Sequence, residues 1–116
     1  MQELDFYRPD EKLIVYGSLA PGGSNAFLFA GVPGTWHRCS IRGHMGRLHG
    51  FKSFQYDPGG AELPAWLFDS PVLPRLLPDL DGLEGQEYRR VLIPPMVDGY
   101  WVVAHIYEGR RTDEEP

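Results

Sequence analysis

The sequence predicts an α+β domain in which a small sheet curls and short helices pack against it, and three observations point there. Fourteen glycines and eleven prolines in 116 residues suit short strands with irregular connections better than a helical bundle. Several segments alternate or run apolar over strand lengths, whereas a leucine stripe at helical spacing follows Ser70-Pro71. Glycines recur inside a strand-like stretch, at Gly43, Gly46 and Gly50, where they permit the bends by which a small sheet curls towards a barrel. With 42% hydrophobic residues the chain can build one modest core, so a single domain over residues 1–116 is expected, its core at about 12–109.

The elements follow in order. Residues 1–11 are polar apart from Leu4, Phe6 and Tyr7 and read as a loosely held lead-in. Residues 12–16 are almost continuously apolar, the pattern of a central strand covered on both faces. Residues 24–30 have the length of a short helix, with Ser24 as N-cap and Gly31 past its end. Residues 35–43 and 45–49 read as two strands, residues 57–60 (Asp-Pro-Gly-Gly) as a turn and residues 62–68 as a further strand. Ser70-Pro71 is a helix-start signature, Ser70 as N-cap. Leu73, Leu76, Leu77, Leu80 and Leu83 then form one stripe, and Pro78 predicts a kink or two helical pieces. Residues 88–93 and 100–107 read as strands, with the hairpin signal Asp98-Gly99 between them. Residues 110–116 read as a frayed charged tail.

Composition narrows the function classes. A net charge of −5 with scattered Lys and Arg argues against a nucleic-acid partner. No run of about 18 apolar residues could span a bilayer and the first residues lack a secretory signal pattern, so a cytoplasmic protein without membrane contact is expected. Cys39 is the sole cysteine, which excludes an intramolecular disulfide and favours a small packed residue over a nucleophile. The four histidines have no zinc-motif spacing, and no metal or other cofactor is expected. Ser18 lacks the Gly-x-Ser-x-Gly elbow of a hydrolase.

The first strand runs directly into Gly17, Ser18, Leu19, Ala20, Pro21, Gly22 and Gly23. Gly17 permits a positive φ or a close approach by a ligand, and the amides of such a bend can converge on a carboxylate or phosphate; a plain turn is the alternative. Val15-Tyr16-Gly17-Ser18-Leu19, then residues 80–85 (Leu-Asp-Gly-Leu-Glu-Gly) with Tyr88 and Arg90, then Ala104-His105-Ile106-Tyr107 occur in that order. In these motifs the chain resembles the gamma-glutamylcyclotransferase-like family, also called AIG2-like, over about residues 13–109.

That resemblance implies a small mixed domain, a curled sheet or open barrel with short helices and a cavity at one end. It implies an intramolecular acyl transfer, in which the α-amino nitrogen of a γ-glutamyl group attacks its own side-chain carbonyl, releasing an amine and 5-oxoproline. Tyr16, Gly17, Ser18 and Leu19 would hold the substrate and Glu84 would be the general acid/base. One carboxylate can take the proton of the ammonium and return one to the departing amine; burial among Leu80 and Leu83 would raise its pKa. Asp81 and Glu87 compete for that role, Asp81 in an Asp-Gly turn and Glu87 before a strand. Tyr88 and Tyr107 would line the cavity and contact substrate, or only pack; Arg90 would pair with a nearby carboxylate or fix its strand. The expected partner is a small γ-glutamyl compound. A binding module of the same fold, holding a small carboxylate ligand or a protein, is the alternative. The leaving amine and the oligomeric state stay open, with the specificity walls expected in loops at 21–34 and 51–60.

Overall fold

A computed structural model of the chain describes residues 8–17, 19–24, 26–48 and 50–110. Eight strands form one sheet: β1 (Lys12–Val15), β2 (Thr35–Leu48), β3 (Phe51–Tyr56), β4 (Ala61–Asp69), β5 (Tyr88–Ile93), β6 (Met96–Val97), β7 (Tyr100–Trp101) and β8 (Ala104–Gly109). One α-helix, α1 (Leu73–Glu84), and three 3-10 helices, Pro9–Glu11, Ala26–Phe29 and Gly85–Glu87, complete the described elements. The strand order is β5-β8-β1-β4-β2-β6-β7, with β3 paired to β2. β1 runs parallel to β8 and antiparallel to β4, so the sheet is mixed. It is the expected α+β arrangement, a curled half-barrel with one short α-helix.

The curl has an identifiable cause. β2 is one strand of 14 residues rather than two, and it changes partner at Gly43, which pairs with Ala61 of β4 and with Tyr56 of β3. A Cβ on Gly43 would lie 2.1 Å from the Gln55 carbonyl oxygen, and one on Gly60 would lie 2.8 Å from the Gly43 backbone. Only glycine lets the backbones approach this closely. The bend carries β3 round to β8, where the Gln55 side-chain amide donates to the Gly109 carbonyl and the Tyr56 N–H donates to Glu108 Oε2 at 2.6 Å.

β1 is buried throughout, as its apolar run predicts. Ile14 faces a core inside the curl with Ile41, Phe54, Leu67 and Ile106, while Leu13 and Val15 face the other side, against Phe68, Leu73, Leu77 and Leu80. The leucine stripe thus docks α1 on the outer face of the sheet, each buried leucine contributing about 1.5–3 kcal/mol against leaving it in water. Lys12 is fully buried too; its Nζ donates to the Arg8 carbonyl at 3.2 Å and lies 3.8 Å from Asp69.

Several local expectations change. Pro78 sits inside one unbroken helix, because the three buried leucines on the docked face hold the segment on the sheet. Ser70 is not the cap: the helix starts after Val72, and the buried Ser70 hydroxyl instead donates to the Pro33 carbonyl at 2.6 Å and accepts from the Val72 N–H. The short helix over 24–30 reduces to the 3-10 helix Ala26–Phe29, followed by Gly31 at φ 77°. The strand expected over 100–107 breaks at Val102 and Val103, where the Val102 N–H turns to the Pro95 carbonyl. The Asp98-Gly99 hairpin forms with both residues at positive φ (51° and 82°), as a type I′ turn requires. The segment at 51–56, read as part of a specificity loop, is a strand. Within the lead-in, Pro9–Glu11 is an ordered 3-10 helix; Arg110 apart, the tail lies outside the described residues. Cys39 is buried in the core, its thiol pushed up to about 12 by burial. No described helix is long and apolar enough to cross a membrane.

Candidate active site

Where β1 ends, the chain enters a turn closed by the Ala20 N–H donating to the Gly17 carbonyl at 3.0 Å. Gly17 does not have positive φ, so backbone strain is not why glycine stands there. A Cβ at Gly17 would instead meet the Lys52 Cβ at 4.0 Å, so the missing side chain leaves open the gap between the bend and β3. Across that gap α1 ends: Gly85 at φ 73° returns its N–H to the Asp81 carbonyl and reverses the chain into β5. The C-terminal residue of α1 is Glu84.

Between these ends lies a cavity of about 230 Å³, lined by Tyr16, Gly17 and Leu19 from the bend, Phe51 and Lys52 from β3, Leu83, Glu84, Glu87 and Tyr88 from the α1–β5 junction, Tyr107 from β8, and Ile14 and Val15 beneath. That is smaller than the roughly 300–1,000 Å³ of pockets for drug-sized ligands, and suits a group the size of one amino acid. The bend near the start of the chain and the acid near its far end therefore share one hollow, with Tyr88 and Tyr107. Ser18 lies outside the described residues.

The polar groups divide into committed and uncommitted ones. The Tyr16 hydroxyl donates to the Tyr107 carbonyl at 2.6 Å and accepts from the Phe54 N–H at 3.2 Å, tying β1, β3 and β8 together under the cavity. The Tyr88 hydroxyl donates to the Lys52 carbonyl at 3.0 Å. The Tyr107 hydroxyl donates to Asp81 Oδ1 at 2.6 Å. All three tyrosines serve as walls whose hydroxyls already have protein acceptors, and burial raises the pKa of each.

Asp81 lies in α1 rather than in a turn, and Arg90 grips it with two bonds, Nε to Oδ1 at 2.8 Å and Nη2 to Oδ2 at 3.0 Å. Those bonds, with Tyr107, hold the Asp81 carboxyl below the usual range. Arg90 thus both pairs with a carboxylate and fixes β5 to the helix. It also touches His105, whose Nε2 lies 2.9 Å from Asp10 Oδ1. Glu84 has no hydrogen-bond or ion-pair partner among the described residues, and burial alone pushes its carboxyl up. A half-buried carboxylate of raised basicity, open to a small cavity, can exchange protons with a bound ligand.

Sequence reasoning placed cavity walls in loops at 21–34 and 51–60: Phe51 and Lys52 do line the cavity, from a strand rather than a loop, whereas no described residue of 21–34 lines it. The strand signal was present in Phe51-Lys52-Ser53-Phe54-Gln55-Tyr56, rich in aromatic residues, but glycines on both sides made it read as loop. Among the described residues no three His, Cys, Asp or Glu side chains cluster as a metal site.

No protein-family model matches the sequence, and no curated protein matches it in sequence. Solved structures do share its fold. An AIG2-like protein from Mus musculus superposes with a TM-score of 0.62 at 18% identity, over 84% of this chain and 76% of the mouse one. A protein from Arabidopsis thaliana gives 0.70 at 18% identity, over 90% and 72%. YkqA from Bacillus subtilis gives 0.66 at 17% identity over 86% of this chain, which spans only 36% of the Bacillus chain. The chain therefore has the fold of AIG2-like proteins, in keeping with the family its motifs resemble.

Proposed function

We propose that this protein is a γ-glutamyl cyclotransferase that acts without a cofactor, with Glu84 as its general acid/base. The observation that carries this reading is an unpartnered, half-buried glutamate sharing a small cavity with the bend after β1. A γ-glutamyl amide would enter with its α-carboxylate at Gly17, Ser18 and Leu19 and its carbon chain against Tyr16, Tyr88 and Tyr107. Glu84 takes a proton from the α-ammonium, and the freed nitrogen attacks the γ-carbonyl carbon. As the tetrahedral intermediate collapses, the bond from that carbon to the leaving nitrogen breaks; Glu84 gives its proton to that nitrogen, then takes the second proton from the attacking nitrogen and passes it on, so that the lactam is neutral and the amine leaves as its ammonium. The products are 5-oxoproline and an amine, so atoms and charge balance. Because nucleophile and electrophile belong to one molecule, holding the substrate folded supplies up to roughly 7–11 kcal/mol of the barrier.

The three tyrosine hydroxyls have protein acceptors, so in this reading they shape the cavity and orient substrate by contact. The test is to incubate the protein with a panel of γ-glutamyl amides and measure 5-oxoproline. Turnover that Glu84→Gln removes is the expected result. Absence of turnover across the panel, or a fully active Glu84→Gln variant, would refute it.

A further inference from the structure

We propose that Lys52 is a substrate-binding residue whose ammonium pairs with the α-carboxylate at the glycine bend; this rests on the cyclotransferase reading above. Lys52 is the only cationic side chain among the described residues lining the cavity. Its stem borders the bend, since a Cβ on Gly17 would touch the Lys52 Cβ at 4.0 Å. Its backbone is pinned, because the Lys52 carbonyl accepts the Tyr88 hydroxyl at 3.0 Å. The root of the side chain is therefore held beside the place where a carboxylate would sit.

Two further observations point to an anion. Lys52 stands directly opposite Arg47 in the β2–β3 ladder, and like charges so placed repel. Neither has an acidic partner among the described residues; Arg47 donates only to the Gly50 carbonyl at 2.9 Å. The other side-chain donors of the cavity are spent, since the hydroxyls of Tyr16, Tyr88 and Tyr107 donate to the Tyr107 carbonyl, the Lys52 carbonyl and Asp81. Backbone amides supply direction but only partial charge, and a lysine beside them supplies the full positive charge that a carboxylate favours.

A pair of lactams tests this without requiring turnover. 5-Oxoproline and 2-pyrrolidinone differ only in the carboxylate, and their affinities can be measured by calorimetry or NMR titration against the wild type, Lys52→Gln and Lys52→Arg. The wild type should prefer 5-oxoproline by about five-fold or more, Lys52→Arg should keep most of that preference, and Lys52→Gln should bring it near one. No preference in the wild type, or an unchanged preference in Lys52→Gln, overturns the assignment. In turnover, Lys52→Gln should raise KM with kcat nearly constant; a fall in kcat at constant KM would place Lys52 at the γ-carbonyl oxygen instead and also overturn it. A carboxylate preference that Lys52→Gln removes, in a protein that makes no 5-oxoproline, upholds Lys52 and sinks the cyclotransferase. Turnover with a preference that ignores Lys52 does the reverse.

Discussion

Asp81 and Glu84 lie three residues apart near the end of one helix, adjacent on its surface, and the fold treats them in opposite ways. Asp81 meets Arg90 and Tyr107, and these bonds hold it ionised. Glu84, one turn on, meets no such partner, and burial pushes its carboxyl up. The helix cannot be responsible, since it presents both acids alike. Arg90 on β5 and Tyr107 on β8 reach one carboxylate and leave the other facing the cavity. Two carboxyl groups with pKa values driven apart are the pattern by which a structural acid is told from a proton-exchanging one.

The sharpest way to break this comparison is to neutralise each acid in turn. Glu84→Gln should lower kcat for 5-oxoproline formation by about 10²–10⁴-fold, the usual worth of a general acid/base, while Asp81→Asn stays within about ten-fold of wild type. The acid limb of kcat/KM should lie above the ordinary glutamate range near about 4.3, because Glu84 must be ionised to accept a proton and burial raises its pKa. A limb at or below that range would separate Glu84 from the chemistry.

Next in size is the clamp. Arg90→Met should cost about 1.5–3 kcal/mol in urea unfolding, as expected for charge-assisted bonds linking strand and helix. Tyr107→Phe removes one bond to the same carboxylate and should cost about 1 kcal/mol. The smallest effect is a difference of sign. Asp81 is depressed, so its stabilisation is present above the ordinary aspartate range and fades as pH falls through its folded value. Glu84 is raised, so the folded state binds the extra proton and stability falls as pH rises from the ordinary glutamate range through the raised value. Glu84→Gln should therefore raise the melting temperature at neutral pH, with the gain vanishing in acid, whereas Asp81→Asn should lower it at neutral pH. Equal signs at neutral pH would mean that the two environments do not differ as described.

Much of the fold was legible where one residue type has one physical use. The apolar run from Leu13 to Val15 required cover on two faces, the leucines after Ser70 required a sheet to dock on, and Asp98-Gly99 required a primed turn. What failed was punctuation. The strand end expected at Gly43 is instead a change of partner within one strand, because glycine spacing cannot say whether a neighbouring backbone approaches. Pro78 predicts a kink or two helical pieces, and of these the division into two pieces does not occur, because packing on the docked face keeps the helix whole.

For the site, the chain itself determined the chemical inventory: a glycine bend after the first strand, a glutamate closing a leucine-rich helix, and tyrosines on late strands, in an order shared with a known family. The residue types fix what each group can donate, accept or bury, and that needs no coordinates. Tertiary structure alone decided which acid is spoken for and which is open, and which lysine lies against the bend. Those outcomes depend on side chains 9 residues apart in one case and 26 in another meeting at hydrogen-bond distance. Such a meeting is a property of how strands and helix are stacked, and no local pattern encodes it.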